Sequence, residues 1–193
     1  MRRFKAVLFV AGLLPAAWLA WAAASGGLGA NPIEALAKET GQWALRFLLL
    51  TLAVTPLRRL LRRPALGSIR RMLGLYTFFY ACLHLANYVV LDLFFRWEEI
   101  LADVVEKPFM LLGLTTYLLL LPLALTSTRG WQRRLGRRWV QLHRLVYVAG
   151  ITATIHFLWA VKADLREPLV YAALLALLLG YRLQQRLRAA GGA

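Results

Sequence analysis

Six apolar stretches separated by arginine-rich segments constrain this chain more than any other feature. A membrane-spanning helix needs about 20 mainly apolar residues. The stretches Phe4–Ala24, Gly41–Leu57, Met72–Phe95, Pro108–Thr126, Trp139–Val161 and Pro168–Leu183 reach that length or come near it. Hydrophobic residues make up 60% of the chain, above the roughly 45–50% of soluble domains, and the mean hydropathy is +0.58. The pattern predicts an all-α, polytopic bundle of about six transmembrane helices forming one domain, residues 1–193. The second and sixth stretches are short, with Gln42 and Gln184 placed to sit at an interface. The first has the basic start and apolar centre of a signal peptide, and Ala22-Ala23-Ala24 imitates a cleavage site. Its apolar run from Ala6 to Ala24 is nevertheless long enough to span, so it reads as an uncleaved first helix.

The charges give the bundle a direction. A net charge of +15 would suit nucleic acid only if the basic residues gathered on a folded polar surface; here they lie between apolar runs, which excludes nucleic-acid binding. With the N-terminus in the cytoplasm, the N-terminal segment, the Arg58–Arg71 loop, the Arg129–Arg144 segment and the C-terminus share one side and carry 18 of the 24 Lys and Arg residues. All nine acidic residues fall on the other side. The positive-inside rule then sets both termini in the cytoplasm, which requires an even number of spans. The longest connections, Ser25–Thr40 and Arg96–Lys107, hold no soluble catalytic domain. No G-x-G-x-x-G or phosphate loop appears, so any cytosolic electrons must arrive through a partner or a carrier.

Three histidines, His84, His143 and His156, all fall inside spans. An ionisable side chain in hydrocarbon is a functional candidate by default, the alternative being a core histidine bonded to a neighbouring helix. Two histidines from facing helices suit haem iron, which takes an imidazole on each axial face. The single cysteine, Cys82, excludes an intramolecular disulfide, a thiolate metal cage and covalent haem attachment. Depth favours one pair: by helical rise, His84 lies roughly 20 Å beyond Arg71, His156 roughly 27 Å beyond Arg138, and His143 roughly 8 Å beyond Arg138. Counting from the outer ends at Arg96 and Lys162 makes the two partners of His84 nearly equal; the inner count selects His156. On one continuous helix His143 and His156 are roughly 140° apart, unless Gly150 or a π-bulge changes the phase. His143 therefore serves a second cofactor nearer the cytoplasm, replaces His156 as ligand, or is structural.

Tyr88 and Tyr147 each lie one turn beyond a histidine and share its face. Arg46, Arg144, Arg70 and Arg71 can neutralise haem propionates or a flavin phosphate, because guanidinium suits bidentate anion recognition; the plainer reading is anchorage of helix ends in lipid headgroups. The seven Trp residues read as an interfacial belt or as packing aromatics.

The segments TGQWALRFLLLTLAVTPLRR (Thr40–Arg59), RRMLGLYTFFYACLHLANY (Arg70–Tyr88) and WVQLHRLVYVAGITATIHFLW (Trp139–Trp159) resemble the MsrQ family, formerly YedZ. NPIEAL, EKPFMLLGL and LALTS extend the resemblance over nearly the whole chain. That family belongs to the ferric-reductase-like transmembrane group, which includes the membrane portions of NADPH oxidases. The resemblance implies an inner-membrane electron-transfer subunit, not the substrate-reducing enzyme. Such a subunit passes electrons through haem b, with FMN also associated, to MsrP, a periplasmic molybdopterin enzyme that reduces methionine sulfoxide. Quinol or a cytosolic flavin reductase is the implied donor. His84, His143 and His156 match the family's histidines, while one third-helix histidine of the oxidases is missing. Two other functions compete: a stand-alone transmembrane ferric or quinone reductase, and a cofactor-free membrane anchor or transporter.

Overall fold

The computed structural model describes residues 2–161 and 164–191; Lys162, from which one depth of His156 is counted, lies outside them. Helices α1 (Arg2–Ala24), α2 (Pro32–Leu60), α3 (Arg70–Ala86), α4 (Trp97–Glu106), α5 (Pro108–Leu125), α6 (Arg129–Leu135), α7 (Arg137–Leu142), α8 (Leu145–Ala160) and α9 (Arg166–Gly191) make up the fold, with a 3₁₀ turn at Pro64–Ile69 and a π-helical turn at Asn87–Asp92. No strand occurs among the described residues.

Two helix pairs, α2 with α3 and α5 with α8, form the centre; α9 packs on α8 and α2, and α1 lies against α2 and α3. The centre is leucine-rich: Leu45, Leu48, Leu49 and Leu52 of α2 meet Leu120 and Leu123 of α5, Ala149 of α8 and Leu175 of α9. Gly150 brings α9 close, since a Cβ there would lie 3.2 Å from Leu175 Cδ1. Large apolar side chains such as Val7, Leu14, Leu111, Leu118 and Leu177 face outward, as a lipid-facing surface requires.

Helix α1 is fastened by two tyrosines of α3. Pro15 has no backbone N–H and interrupts the ladder of α1. At the adjoining rung the Tyr80 hydroxyl bridges the backbone, donating to the Gly12 carbonyl at 2.8 Å and accepting from the Ala16 N–H at 3.0 Å. Tyr76 donates to the Phe9 carbonyl, and its ring occupies the space a Cβ on Gly12 would fill.

Three segments, Arg3–Ala24, Pro64–Asp92 and Pro108–Leu125, are long and apolar enough on their own to cross a membrane. Several sequence-based boundaries change. The second and sixth stretches, expected to be short, lie within helices of 29 and 26 residues, because charged residues lower hydropathy without breaking a helix. α2 starts at Pro32, where the Asn31 side chain accepts from the Glu34 N–H, so much of the expected Ser25–Thr40 loop is helical. Third-stretch α-helical bonding stops at Ala86 and continues as the π turn; Phe94 and Phe95, with φ of 44° and 59°, then end it. The expected Arg96–Lys107 loop carries α4. The fifth stretch is not one helix: α7 ends at Leu142 and α8 begins at Leu145, with the break at His143–Arg144 and not at Gly150.

Candidate functional site: a histidine pair and an arginine-lined cavity

His84 projects from the last turn of α3 and His156 from the C-terminal half of α8. Their ring centroids are 6.1 Å apart and the rings are nearly perpendicular, at 79°. His84 Nδ1 lies 2.9 Å from the Ala37 carbonyl of α2, and His156 Nδ1 lies 2.7 Å from the Phe109 carbonyl of α5. A carbonyl oxygen can only accept, so each Nδ1 carries the proton and each Nε2 keeps its lone pair. In metal-ligating histidines the same bond, from the ring nitrogen that does not touch the metal, fixes tautomer and ring orientation. Two imidazoles sharing one metal, each nitrogen about 2 Å from it, have ring centroids on the order of 6 Å apart. The observed 6.1 Å separation is of that order, so the pair could supply two imidazole donors to one metal.

Two glycines hold the rings where they are. A Cβ on Gly41 would lie 3.1 Å from His84 Cε1 and Nδ1, and one on Gly113 would lie 2.9 Å from His156 Cε1 and 3.0 Å from Nδ1. Each imidazole thus rests on bare backbone of the neighbouring helix.

His143 stands elsewhere. By helical rise over the 13 residues separating it from His156, the two are roughly 20 Å apart along the bundle. The Thr126 hydroxyl gives its proton to the Pro122 carbonyl at 2.6 Å, so His143 Nε2, 3.1 Å away, donates to Thr126 Oγ1. Its ring stacks on Trp139 at 4.0 Å, and the Trp139 indole N–H donates to the Thr126 carbonyl at 2.9 Å. The phase argument for a continuous helix does not apply across the break at His143–Arg144, yet the two histidines still serve different places.

His143 lines a cavity of about 460 Å³ together with Arg70, Arg71, Arg144, Arg182 and Arg186, within the size range of small-molecule sites. Arg182 donates to the Tyr147 hydroxyl at 2.8 Å and to the Leu52 carbonyl at 2.7 Å. Its buried Nε has no partner. An orphaned guanidinium nitrogen beside four other arginines, with no acidic residue in the lining, suits a multiply charged anion.

Two expected residues lie away from both places. Arg46 does not line the cavity. It donates to the Tyr171 hydroxyl and to Gln42 Oε1, lies 3.9 Å from both Glu39 and Glu167, and covers the Trp43 ring; these partners come from its own helix and the acidic start of α9. The Tyr88 hydroxyl, within the π turn, donates to Asp103 Oδ2 of α4 at 2.8 Å. A bond from Lys107, then one from Tyr88, holds the Asp103 carboxyl below its ordinary range. Arg182, Arg186, Gly41, Gly113 and Thr126 went unnoticed in the sequence. The i, i+4 spacing of Arg182 and Arg186 on an apolar helix was a usable signal; nothing local marks the two glycines.

Residues 40–167 match the family described as "Ferric reductase like transmembrane component". A relative from Xanthomonas campestris pv. campestris (strain B100), named "Protein-methionine-sulfoxide reductase heme-binding subunit MsrQ", is 50% identical over 191 residues, 96% of this chain and 88% of that protein. Proteins of the same name from Xanthomonas euvesicatoria pv. vesicatoria (48% over 191 residues, 96% and 88%) and Rhodospirillum rubrum (50% over 185 residues, 95% and 89%) are similarly close. No solved structure matches.

Proposed function

The chain belongs to the MsrQ family of ferric-reductase-like membrane proteins, and from that premise we propose that it is the haem-binding electron-transfer subunit of a methionine sulfoxide reductase system. In this reading six helices cross the bacterial inner membrane with both termini in the cytoplasm. Electrons, supplied from the quinone pool, cross to a periplasmic molybdopterin subunit of the MsrP kind, which repairs oxidised methionines. His84 and His156 would hold a haem b, and the arginine-lined cavity at His143 would hold FMN. When bound, the haem supplies a one-electron relay and the flavin converts between two- and one-electron chemistry.

The residues themselves perform four tasks. The Ala37 and Phe109 carbonyls keep both Nε2 atoms deprotonated and aimed, so no proton has to leave before a metal binds. Gly41 and Gly113 leave room for the rings. Arg70, Arg144 and Arg182 would balance a phosphate. Tyr147 positions Arg182 through its hydroxyl. The paired histidines carry the proposal: two intramembrane imidazoles with ring centroids 6.1 Å apart, each with Nδ1 bonded to a backbone carbonyl and Nε2 left with its lone pair, make a two-donor set that a lone core histidine would not.

A pyridine haemochrome and flavin assay on the wild type beside His84→Ala, His156→Ala and His143→Ala tests it. Haem should vanish from the first two variants and persist in the third, whose flavin content falls. A Soret band retained in both His84→Ala and His156→Ala would sink the ligand assignment. Faster electron flow to a purified periplasmic molybdopterin reductase than to ferric chelates separates the subunit role from a stand-alone reductase.

A further inference from the structure

We propose that the cleft between α1, the start of α3 and the α5–α6 turn is a binding site for an anionic phospholipid, its phosphate held by Lys5, Arg71 and Arg129. The proposal rests on the six-span reading above, which sets this end of the bundle at the cytoplasmic membrane surface, and not on the cofactors.

A cavity of about 650 Å³ opens here, with those three cations on its rim and Phe9, Tyr76 and Phe79 in its wall. No acidic residue lines it, and none of the three cations takes part in an ion pair among the described residues. The wall is apolar where α1 and α3 run as spanning segments, and Phe9 is 53% exposed. A cationic rim above an apolar, laterally open wall matches both ends of a phospholipid. A free phosphate would leave the aromatic wall unused. A soluble protein partner could meet the cations but not the aromatic wall, whose Phe9, Tyr76 and Phe79 lie a full turn or more inside the spans. Tyr76 shapes the wall from behind, because its ring is seated on Gly12 and its hydroxyl is tied to the Phe9 carbonyl. The site adjoins the His143 cavity, since Arg71 lines both, so a lipid headgroup here would close one side of it.

The full chain in neutral detergent, offered equal amounts of phosphatidylglycerol and phosphatidylcholine, is read by native mass spectrometry. The wild type should retain phosphatidylglycerol preferentially, and Lys5→Gln/Arg129→Gln should lose the preference by about fivefold per cation, the equivalent of about 1 kcal/mol each. Arg188→Gln, a basic residue of the same end of the bundle outside the cleft, should leave it intact. Equal retention of both lipids, an unchanged double variant, an equal loss in Arg188→Gln, or displacement of the lipid by millimolar inorganic phosphate each overturns the proposal. Lys5→Gln alone serves if the double variant is not monodisperse. Labelling Lys5→Cys and Arg129→Cys from each membrane side separates the two failures. Labelling from opposite sides refutes the span reading, whereas same-side labelling without lipid preference refutes the lipid site alone.

Discussion

Replacing Gly113 with alanine should weaken the proposed haem site while leaving the bundle folded. The new Cβ would lie 2.9 Å from His156 Cε1, 3.0 Å from Nδ1 and 3.5 Å from Nε2. The first contact is closer than carbon atoms approach without displacement, and the ring cannot yield freely because Nδ1 is bound at 2.7 Å to the Phe109 carbonyl. Overpacking of this kind costs about 1–3 kcal/mol, and loss of the Nδ1 bond adds about 1 kcal/mol. Alanine in a helix interior recovers only about 1 kcal/mol relative to glycine, so displacement of the imidazole wins. A misplaced ligand worth about 1–3 kcal/mol weakens haem binding roughly 5- to 150-fold. Haem titration into the apoprotein, followed at the Soret band, measures this directly. Gly180→Ala is the control: no atom lies within 4 Å of a Cβ there, so it should match or slightly exceed wild-type stability with unchanged haem affinity. A Gly113→Ala protein with wild-type affinity and spectrum would refute the argument that the glycine sets the ligand's place.

Tyr80→Phe removes the hydroxyl bridging Gly12 and Ala16 beside Pro15; loss of both bonds should cost about 1–3 kcal/mol, read as a lower Tm in detergent. Arg182→Gln strips the Leu52 carbonyl and Tyr147 hydroxyl of their donor and should lower flavin content more than haem content; equal losses would point to general unfolding. The depressed Asp103 carboxyl adds stability that is present above the unfolded-state value and lost as pH falls through the folded one, below the ordinary carboxylate range. Tyr88→Phe removes one of the bonds that lower it, so the Asp103 titration followed by carboxyl NMR should move up towards the ordinary range; no movement would show that Lys107 alone sets it.

The helical class and the membrane placement were legible because hydropathy is a local property that each segment declares by itself. Charge patterning was legible for the same reason. The histidines stood out as ionisable groups in apolar runs, and depth counting already favoured His84 with His156. Arg46 and Tyr88 could not be placed the same way. Each has an acidic partner on another helix: Glu167, beside Glu39 of its own helix, is distant in sequence from Arg46, and Asp103 belongs to a helix read as loop.

What the sequence determined by itself is therefore the set of apolar helices, their basic end and the three candidate ligands. Tertiary structure decided which of those ligands meet. A ring centroid separation of 6.1 Å depends on α2 and α5 approaching close enough for backbone to touch imidazole, and that approach rests on glycines whose importance appears only with the neighbouring helix in place. It also decided that Arg182 joins Arg70, Arg71 and Arg144 around His143. Hydropathy is written along one helix at a time, whereas ligand geometry and charge clustering are set between helices, by packing that no single segment encodes.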